Sequence, residues 1–165
     1  MLGLLLRCVT INISEAVMDK IKIAVEMIYS DSRLPEKTYN NPNGHHDLGW
    51  DLFAHEQISI RPHDVGIVRT GLRMEIPPEY GMIIKDRSSK SMHYHIVGGV
   101  YDASFRGEIC VNVVNYGDEA IIIRKNEKFA QAVIIPNLYV TMHQVENIPV
   151  NSTPRGNRCL GSTDV

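Results

Sequence analysis

The sequence has little sulfur with which to staple itself. Its 165 residues hold three cysteines, Cys8, Cys110 and Cys159. They are odd in number and far apart, which excludes a disulfide framework, and no pair has the close spacing of a metal site. A reducing, cytoplasmic compartment fits that usage. A long apolar run is also missing. Met1–Cys8 contains Leu-Gly-Leu-Leu-Leu, which is too short to span a bilayer and is not preceded by the charged stretch of a secretory signal. Nor is there a surplus of basic charge: 17 Lys+Arg stand against 19 Asp+Glu, for a net charge of −2. Non-specific nucleic-acid binding needs that surplus, so neither nucleic acid nor a membrane is expected as a partner. No internal repeat is present, so a repeat array is excluded.

What is present is ordinary for a folded domain: 44% hydrophobic and 22% charged residues, too apolar for disorder. A chain of this length forms one domain and buries roughly 70% of its unfolded surface. Met18 opens Asp19-Lys20-Ile21-Lys22-Ile23, so the domain is expected over residues 18–150. Residues 1–17 read as a disordered extension or an upstream translation start, and residues 151–165, with no periodicity, as a mobile tail.

Apolar and polar residues alternate over Ile21 to Met27, Leu72 to Ile76 and Ile109 to Val113, and short strand candidates lie at Trp50–Ala54, Ile58–Ile60, Val65–Arg69, the apolar Met82–Lys85, Ala120–Arg124, Ala130–Ile135 and Leu138–Met142. Gly, Pro and Asn punctuate them, and Asp31–Gly49 reads as a long loop. One short helix is expected around Ser88–Tyr94. Many short strands at spacings of about 8–12 residues predict an all-β fold, a barrel or jelly roll.

Three segments carry chemistry. Arg87-Ser88-Ser89 follows a strand; guanidinium and hydroxyls suit a phosphate, although a surface Arg with a Ser N-cap gives the same pattern. Gly98-Gly99-Val100-Tyr101-Asp102-Ala103-Ser104-Phe105-Arg106-Gly107-Glu108 reads as a tight hairpin whose backbone can approach a ligand. In it Asp102 is either a water-activating base or a turn residue, and Phe105 either a platform for a sugar or base or a core ring. The tail holds Arg155-Gly156-Asn157-Arg158-Cys159-Leu160-Gly161-Ser162-Thr163, either a flap over phosphates or a disordered terminus. His45-His46 and His93-x-His95 lack a third ligand and read as solvated loop residues. Cys110 faces away from Ile109 and Val111 and is assigned no chemistry.

Taken in order, Asp51 in Gly49-Trp50-Asp51-Leu52-Phe53-Ala54, the Arg87 segment, the Asp102 segment, Gln131 in Phe129-Ala130-Gln131 and the Gly-Ser-Thr tail resemble the five motifs of the homotrimeric dUTP diphosphatase (dUTPase) family. The resemblance runs from about Lys20 to Asp164 and includes the turn Ile76-Pro77-Pro78-Glu79-Tyr80-Gly81. It implies a distorted jelly-roll β-barrel that cuts dUTP to dUMP and pyrophosphate by water attack on the α-phosphate. By the same resemblance Asp102 activates the water, and the main chain around Gly99, Val100 and Tyr101 reads uracil. Phe105 packs on the deoxyribose and excludes a 2′-hydroxyl. Arg87, Ser88, Ser89 and Gln131 bind phosphate. Asp51 helps to hold Mg²⁺ through water, the mode that suits an ion which keeps its waters. Arg155, Leu160, Gly161, Ser162 and Thr163 form a lid over the base and the γ-phosphate, reaching across a trimer.

The chain departs from the family pattern at several points. Asp86 stands where Pro is common and Ser89 where Gly is common, and Phe105 lacks the hydroxyl of the usual Tyr. Arg87 and Asp102 are 15 positions apart, so Lys90–Gly98 is trimmed. Cys159, Leu160 and Asp164 stand where Gly, Phe and Gly are expected. A ring stacked on a base is worth about 1–3 kcal/mol, so Leu160 implies a looser lid and a raised KM. Two rivals remain. One is a non-catalytic dUTP-sensing or regulatory protein, against which Asp102 argues. The other is a dCTP deaminase, whose carboxylate five residues past the hairpin Gly is replaced here by Asn112.

Overall fold

Short alternating runs become short strands. The computed structural model describes residues 21–40, 46–149 and 153. Within them the chain forms β1 (Ala24–Met27), β2 (Trp50–Phe53), β3 (Ile58–Ile60), β4 (Val65–Arg69), β5 (Leu72–Glu75), β6 (Tyr80–Asp86), β7 (His95–Val97), β8 (Val100–Tyr101), β9 (Cys110–Val114), β10 (Ile121–Ile123) and β11 (Lys128–Pro136). Every pairing is antiparallel: β1 with β5, β10 with β3, and two larger sheets in the orders β2-β11-β6-β8 and β4-β9-β7. The alternation read from sequence is the burial pattern. On β9 Val111 and Val113 are buried and Asn112 is exposed, and on β5 Leu72 and Met74 point in while Arg73 and Glu75 point out. The inward faces share one core, in which Leu52, Leu72, Ile84, Ile109, Val113 and Phe129 are almost fully buried. Such packed antiparallel faces are the jelly-roll type of barrel expected from sequence.

Three expectations change. Among the described residues there is no helix over Ser88–Tyr94. The backbone there makes isolated turns, in which the Lys90 and Ser91 amides donate to the Arg87 carbonyl and those of His93 and Tyr94 to the Lys90 carbonyl. Ser91 Oγ donates to the Ser88 carbonyl at 3.0 Å, a local bond that competes with the helical ladder. The strand expected over Leu138–Met142 does not form. Pro136 ends the β11 ladder, and Asn137 is tied to the turn before β6 by its amides, N to Glu79 O at 2.7 Å and Nδ2 to Pro78 O at 3.1 Å. Leu138, Tyr139, Val140 and Met142 then lie exposed. Finally, the segment from Gly98 to Glu108 is not a two-stranded hairpin. β7 pairs with β9, whereas β8 pairs with β6. Gly98, at φ 62°, makes the turn between them. At Gly99 a Cβ would meet the Ile84 carbonyl oxygen at 2.4 Å, so the chain crosses from one sheet to the other only because a glycine is there.

Two polar groups fix the loops around this core. Asn115 is fully buried. Its Nδ2 donates to the carbonyls of Ile60, Arg61 and Glu119 at 3.1, 3.0 and 2.8 Å, and its Oδ1 accepts from Gly117 N at 3.0 Å. Glu108 accepts from Arg69 Nη2 and Nε at 2.7 and 3.0 Å and from the Gly71 amide at 2.9 Å. Burial alone would raise the Glu108 pKa, but Arg69 and that amide outweigh it and hold the group below its ordinary value. Replacing Asn115 by alanine strands several buried carbonyls at once. We expect Asn115→Ala to lose about 2–4 kcal/mol, read as a lower urea midpoint at unchanged slope.

Candidate active site

The first half of the site is built where β11 lies between β2 and β6. Gln131 on β11 stands opposite Asp51 on one side and Lys85 on the other. Between Lys128 and Ala130 the β2 register slips, since Lys128 faces Phe53 while Ala130 faces Leu52. Phe129 is the extra residue of a bulge, buried like Ala130 beside it. A bulge re-aims the side chains before it. In a regular strand Lys128 and Gln131, three positions apart, would point to opposite faces; the bulge brings Lys128 to the face of Asp51.

Asp51 is a buried carboxylate with three donors. Arg87 Nε donates to Oδ1 at 2.7 Å, and Thr38 Oγ1 and Lys128 Nζ reach Oδ2 at 3.0 and 3.1 Å. Lys128 also pairs with Glu36 at 2.7 Å and donates to Thr38 Oγ1 at 3.0 Å. Burial alone would raise the Asp51 pKa; Lys128, Thr38 and Arg87 together outweigh burial and hold it below its ordinary value. Glu36, and then Asp51, raise that of Lys128. Arg87 spends a second nitrogen on the Lys128 carbonyl at 3.3 Å. Its two neighbours Ser88 and Ser89 are exposed. Gln131 Nε2 donates to the Asp86 carbonyl at 2.7 Å, and a Cβ at Gly49 would collide with Gln131 Oε1 at 2.4 Å.

The second half lies along β8, the edge strand of the same sheet. An edge strand keeps one row of main-chain groups unpaired by its sheet. A cleft of about 670 Å³ opens there, lined by Tyr80, Met82, Val100, Tyr101, Asp102 and Arg106 among others. That volume suits a small organic ligand. Asp102 is exposed, and its carbonyl accepts from Phe105 N at 3.0 Å to close a turn. Phe105 is no core ring: it is 41% exposed and meets Tyr101 edge-on at 5.6 Å between centroids. Burial pushes the Tyr101 hydroxyl up to about 12, and it donates to the Cys110 carbonyl at 2.5 Å.

The structure thus brings Asp51, Arg87 and Gln131 together and places Gly99, Val100, Tyr101, Asp102 and Phe105 together, but as two groups. Met82 pairs with Tyr101, which puts Asp102 level with Gly81. Arg87 lies six residues further along, about 20 Å at 3.3 Å per residue. Arg155, Leu160, Gly161, Ser162 and Thr163 lie outside the described residues, as do Cys8, His45, Cys159, Asp164 and the extension over residues 1–17. Sequence reading missed Thr38, Glu36 and Lys128. The first two sit in a loop without periodicity, and strict alternation assigns Lys128 to the wrong face.

Among the described residues, no three His, Cys, Asp or Glu side chains gather as metal ligands. A carboxylate offers about four lone-pair sites. Asp51 uses one on Oδ1 and two on Oδ2, so one on Oδ1 remains for a water. That donor set fits a magnesium ion carried by phosphates and touched through water, and does not fit a resident ion caged by protein.

A jelly-roll β-barrel with a guanidinium and hydroxyls at the end of one strand, and a carboxylate beside a cleft on the next, is the class that fold and site define. The dUTPase family model matches residues 36–164, and the chain belongs to the dUTPase family. A deoxyuridine 5'-triphosphate nucleotidohydrolase of Alkaliphilus metalliredigens is 33% identical over 147 residues, 87% of this chain and 97% of the relative. One from Clostridium acetobutylicum is 31% identical over the same shares. Among solved structures, the dUTPase of Staphylococcus bacteriophage 80alpha with dUpNHpp is similar at a TM-score of 0.75 and 25% identity, covering 87% of this chain and 99% of that one. A variant dUTPase from phage phi11 of S. aureus, which coordinates a structural Mg(II) ion, shares the fold at a TM-score of 0.69 and 22% identity, covering 77% and 98%.

The charge balance at Asp51 has a pH signature. Its pKa is depressed in the fold, so its contribution to stability is present above the unfolded value of about 3.9 and is lost as pH falls through the lower folded value. Asp51→Asn leaves Arg87 and Lys128 facing a neutral amide. We expect it to lose about 3 kcal/mol at pH 7, with the gap to wild type closing below pH 4, followed by chemical denaturation at both pH values.

Proposed function

We propose that the chain hydrolyses dUTP to dUMP and pyrophosphate, with Asp102 as the base. The observation that carries this reading is the position of Asp102, an exposed carboxylate at the mouth of a cleft inside the stretch that matches the family model. The named activity of the curated relatives and the dUTP analogue in the phage 80alpha structure support the substrate. In the reaction Asp102 takes a proton from water as the water oxygen bonds to the α-phosphorus. The bond from that phosphorus to the bridging oxygen breaks, and pyrophosphate leaves with the electron pair. The open edge of β8 at Gly99, Val100 and Tyr101 reads the base, and Phe105 lies against the deoxyribose. Arg87, Ser88, Ser89 and Gln131 hold the phosphates, and the tail residues Arg155, Leu160, Gly161, Ser162 and Thr163 close over them. Asp51 holds Arg87 in place and would touch magnesium through water; when bound, that ion neutralises phosphate charge.

The two halves are too far apart in one chain to grip one triphosphate. We infer a homotrimer in which the Asp102 half of one subunit meets the Arg87 half of another. A symmetric oligomer builds such shared sites naturally. Among the described residues no helix is long and apolar enough to cross a membrane. The three widely spaced cysteines support a reducing cytoplasm. Deamination is not supported, since Asn112 on β9 offers an amide where a proton shuttle is needed.

Pyrophosphate release with Mg²⁺ separates the readings when dUTP, dCTP, dTTP and UTP are offered in parallel. We expect turnover of dUTP alone, reduced about a thousandfold in Asp102→Asn. Tight dUTP binding without turnover would make the protein a sensor, and ammonia from dCTP a deaminase. Sharing of the site is tested by mixing. Arg87→Gln and Asp102→Asn chains, each inactive alone, are expected to recover about a quarter of wild-type activity when refolded together at equal amounts. No recovery would refute a shared site.

A further inference from the structure

The eight residues from Arg87 to Tyr94 have no regular secondary structure to hold them. The turn bonds inside the segment are supplemented by contacts from outside it. At the base of the loop the Asp86 carboxylate takes two donors from the far side, the Ile96 amide on Oδ1 at 2.6 Å and His95 Nδ1 on Oδ2 at 2.8 Å. The carbonyl of the same residue takes Gln131 Nε2 at 2.7 Å. Asp86 therefore ties the end of β6 to the start of β7 and to β11. The His95 ring stacks on Tyr116, 4.7 Å between centroids and 22° apart. The Tyr116 hydroxyl in turn donates to the Ser91 carbonyl, inside the loop, at 2.9 Å. A closed circuit results: Asp86, His95, Tyr116, Ser91 and back along the chain. Lys90 adds a tether to Glu127 at 2.5 Å, and Tyr94 Oη one to the Phe129 carbonyl at 2.8 Å.

We propose that Asp86, His95 and Tyr116 are positioning residues that hold the Arg87–Ser88–Ser89 turn in its nucleotide-binding shape. The inference rests on the reading of that turn as the phosphate site. A turn that binds through exposed hydroxyls and amides loses affinity with every conformation it can reach when empty, and pre-organisation removes that loss. Asp86 suits the task because a carboxylate accepts from two directions at once, and hydrogen bonds to an ionised group are the strong ones. None of the three side chains needs to touch the reacting atoms. Their loss is therefore expected in binding, common to ground state and transition state, and not in the chemical step.

The test uses the full chain with Mg²⁺, steady-state dUTP turnover and calorimetric titration with non-hydrolysable dUpNHpp. Removing Asp86 itself risks the fold, so the variants are at its partners. His95→Ala removes the donor, and His95→Asn restores an N–H near the Nδ1 position. Tyr116→Phe keeps the stacked ring and removes only the bond to Ser91. We expect KM and the dUpNHpp Kd to rise about tenfold in His95→Ala and about threefold in Tyr116→Phe. We expect kcat to stay within about twofold throughout, and His95→Asn to return to near wild type. Hydrogen exchange over residues 88–93 is expected to speed up in the first two variants. Unchanged KM in both variants, a fall in kcat at unchanged KM, or failure of His95→Asn to rescue would overturn the clamp alone, with wild-type turnover intact. A wild-type protein that neither turns over dUTP nor binds the analogue would overturn the reading of the turn, and the clamp's role in binding with it.

Discussion

The pairing of β11 with β2 on one side and β6 on the other is what the rest of this structure depends on. Each partner lies far away in sequence, and each brings one piece of the site: Asp51 from β2, Arg87 from the end of β6. The central strand contributes Gln131 directly and Lys128 by way of a bulge. A central strand has its backbone groups satisfied on both edges, so its register is strongly determined. A slip by one residue would turn Phe129, Ala130 and Ala132 out of the core and separate Gln131 from Asp51. Core packing and site geometry are in this way the same constraint.

Charge is arranged to the same end. Arg87 and Lys128 carry two positive charges into a pocket that Asp51 and Glu36 balance, with Thr38 filling in as a neutral donor. A guanidinium held on one side by a buried carboxylate has little rotamer freedom left to lose. The second half of the site obeys a different rule. Along β8 a strand edge, the exposed Asp102 carboxylate and the half-exposed Phe105 ring lie beside one cleft.

Much of this was legible in the linear pattern, for physical reasons that differ from place to place. Val65–Arg69 and Ile58–Ile60 were readable to the residue because each is a short run of β-branched residues bounded by polar and turn-forming ones. The all-β class followed from many such runs with Gly and Pro between them. Leu138–Met142 misled because a short apolar run states only that a segment can be a strand; it does not supply a partner, and among the described residues none pairs with it. Ser88–Tyr94 misled because serine hydroxyls compete with the helical ladder. Asp51, Arg87, Asp102 and Gln131 were legible as a motif set, whereas Lys128, Thr38 and Glu36 were not, since nothing local reports a bulge or the destination of a loop.

By itself the sequence determined the class of fold, the inward and outward face of most strands, and which chemistry-bearing residue types were available to a site. Those properties are local, set by side-chain periodicity and by the φ/ψ freedom of glycine and proline. Only the tertiary structure decided that Lys128 joins Asp51, that β8 turns away from β7 to become a sheet edge, and that Asp86 closes a circuit through His95 and Tyr116. Each of these depends on contacts between residues distant along the chain, where the free energy lies in packing and pairing that no local window contains.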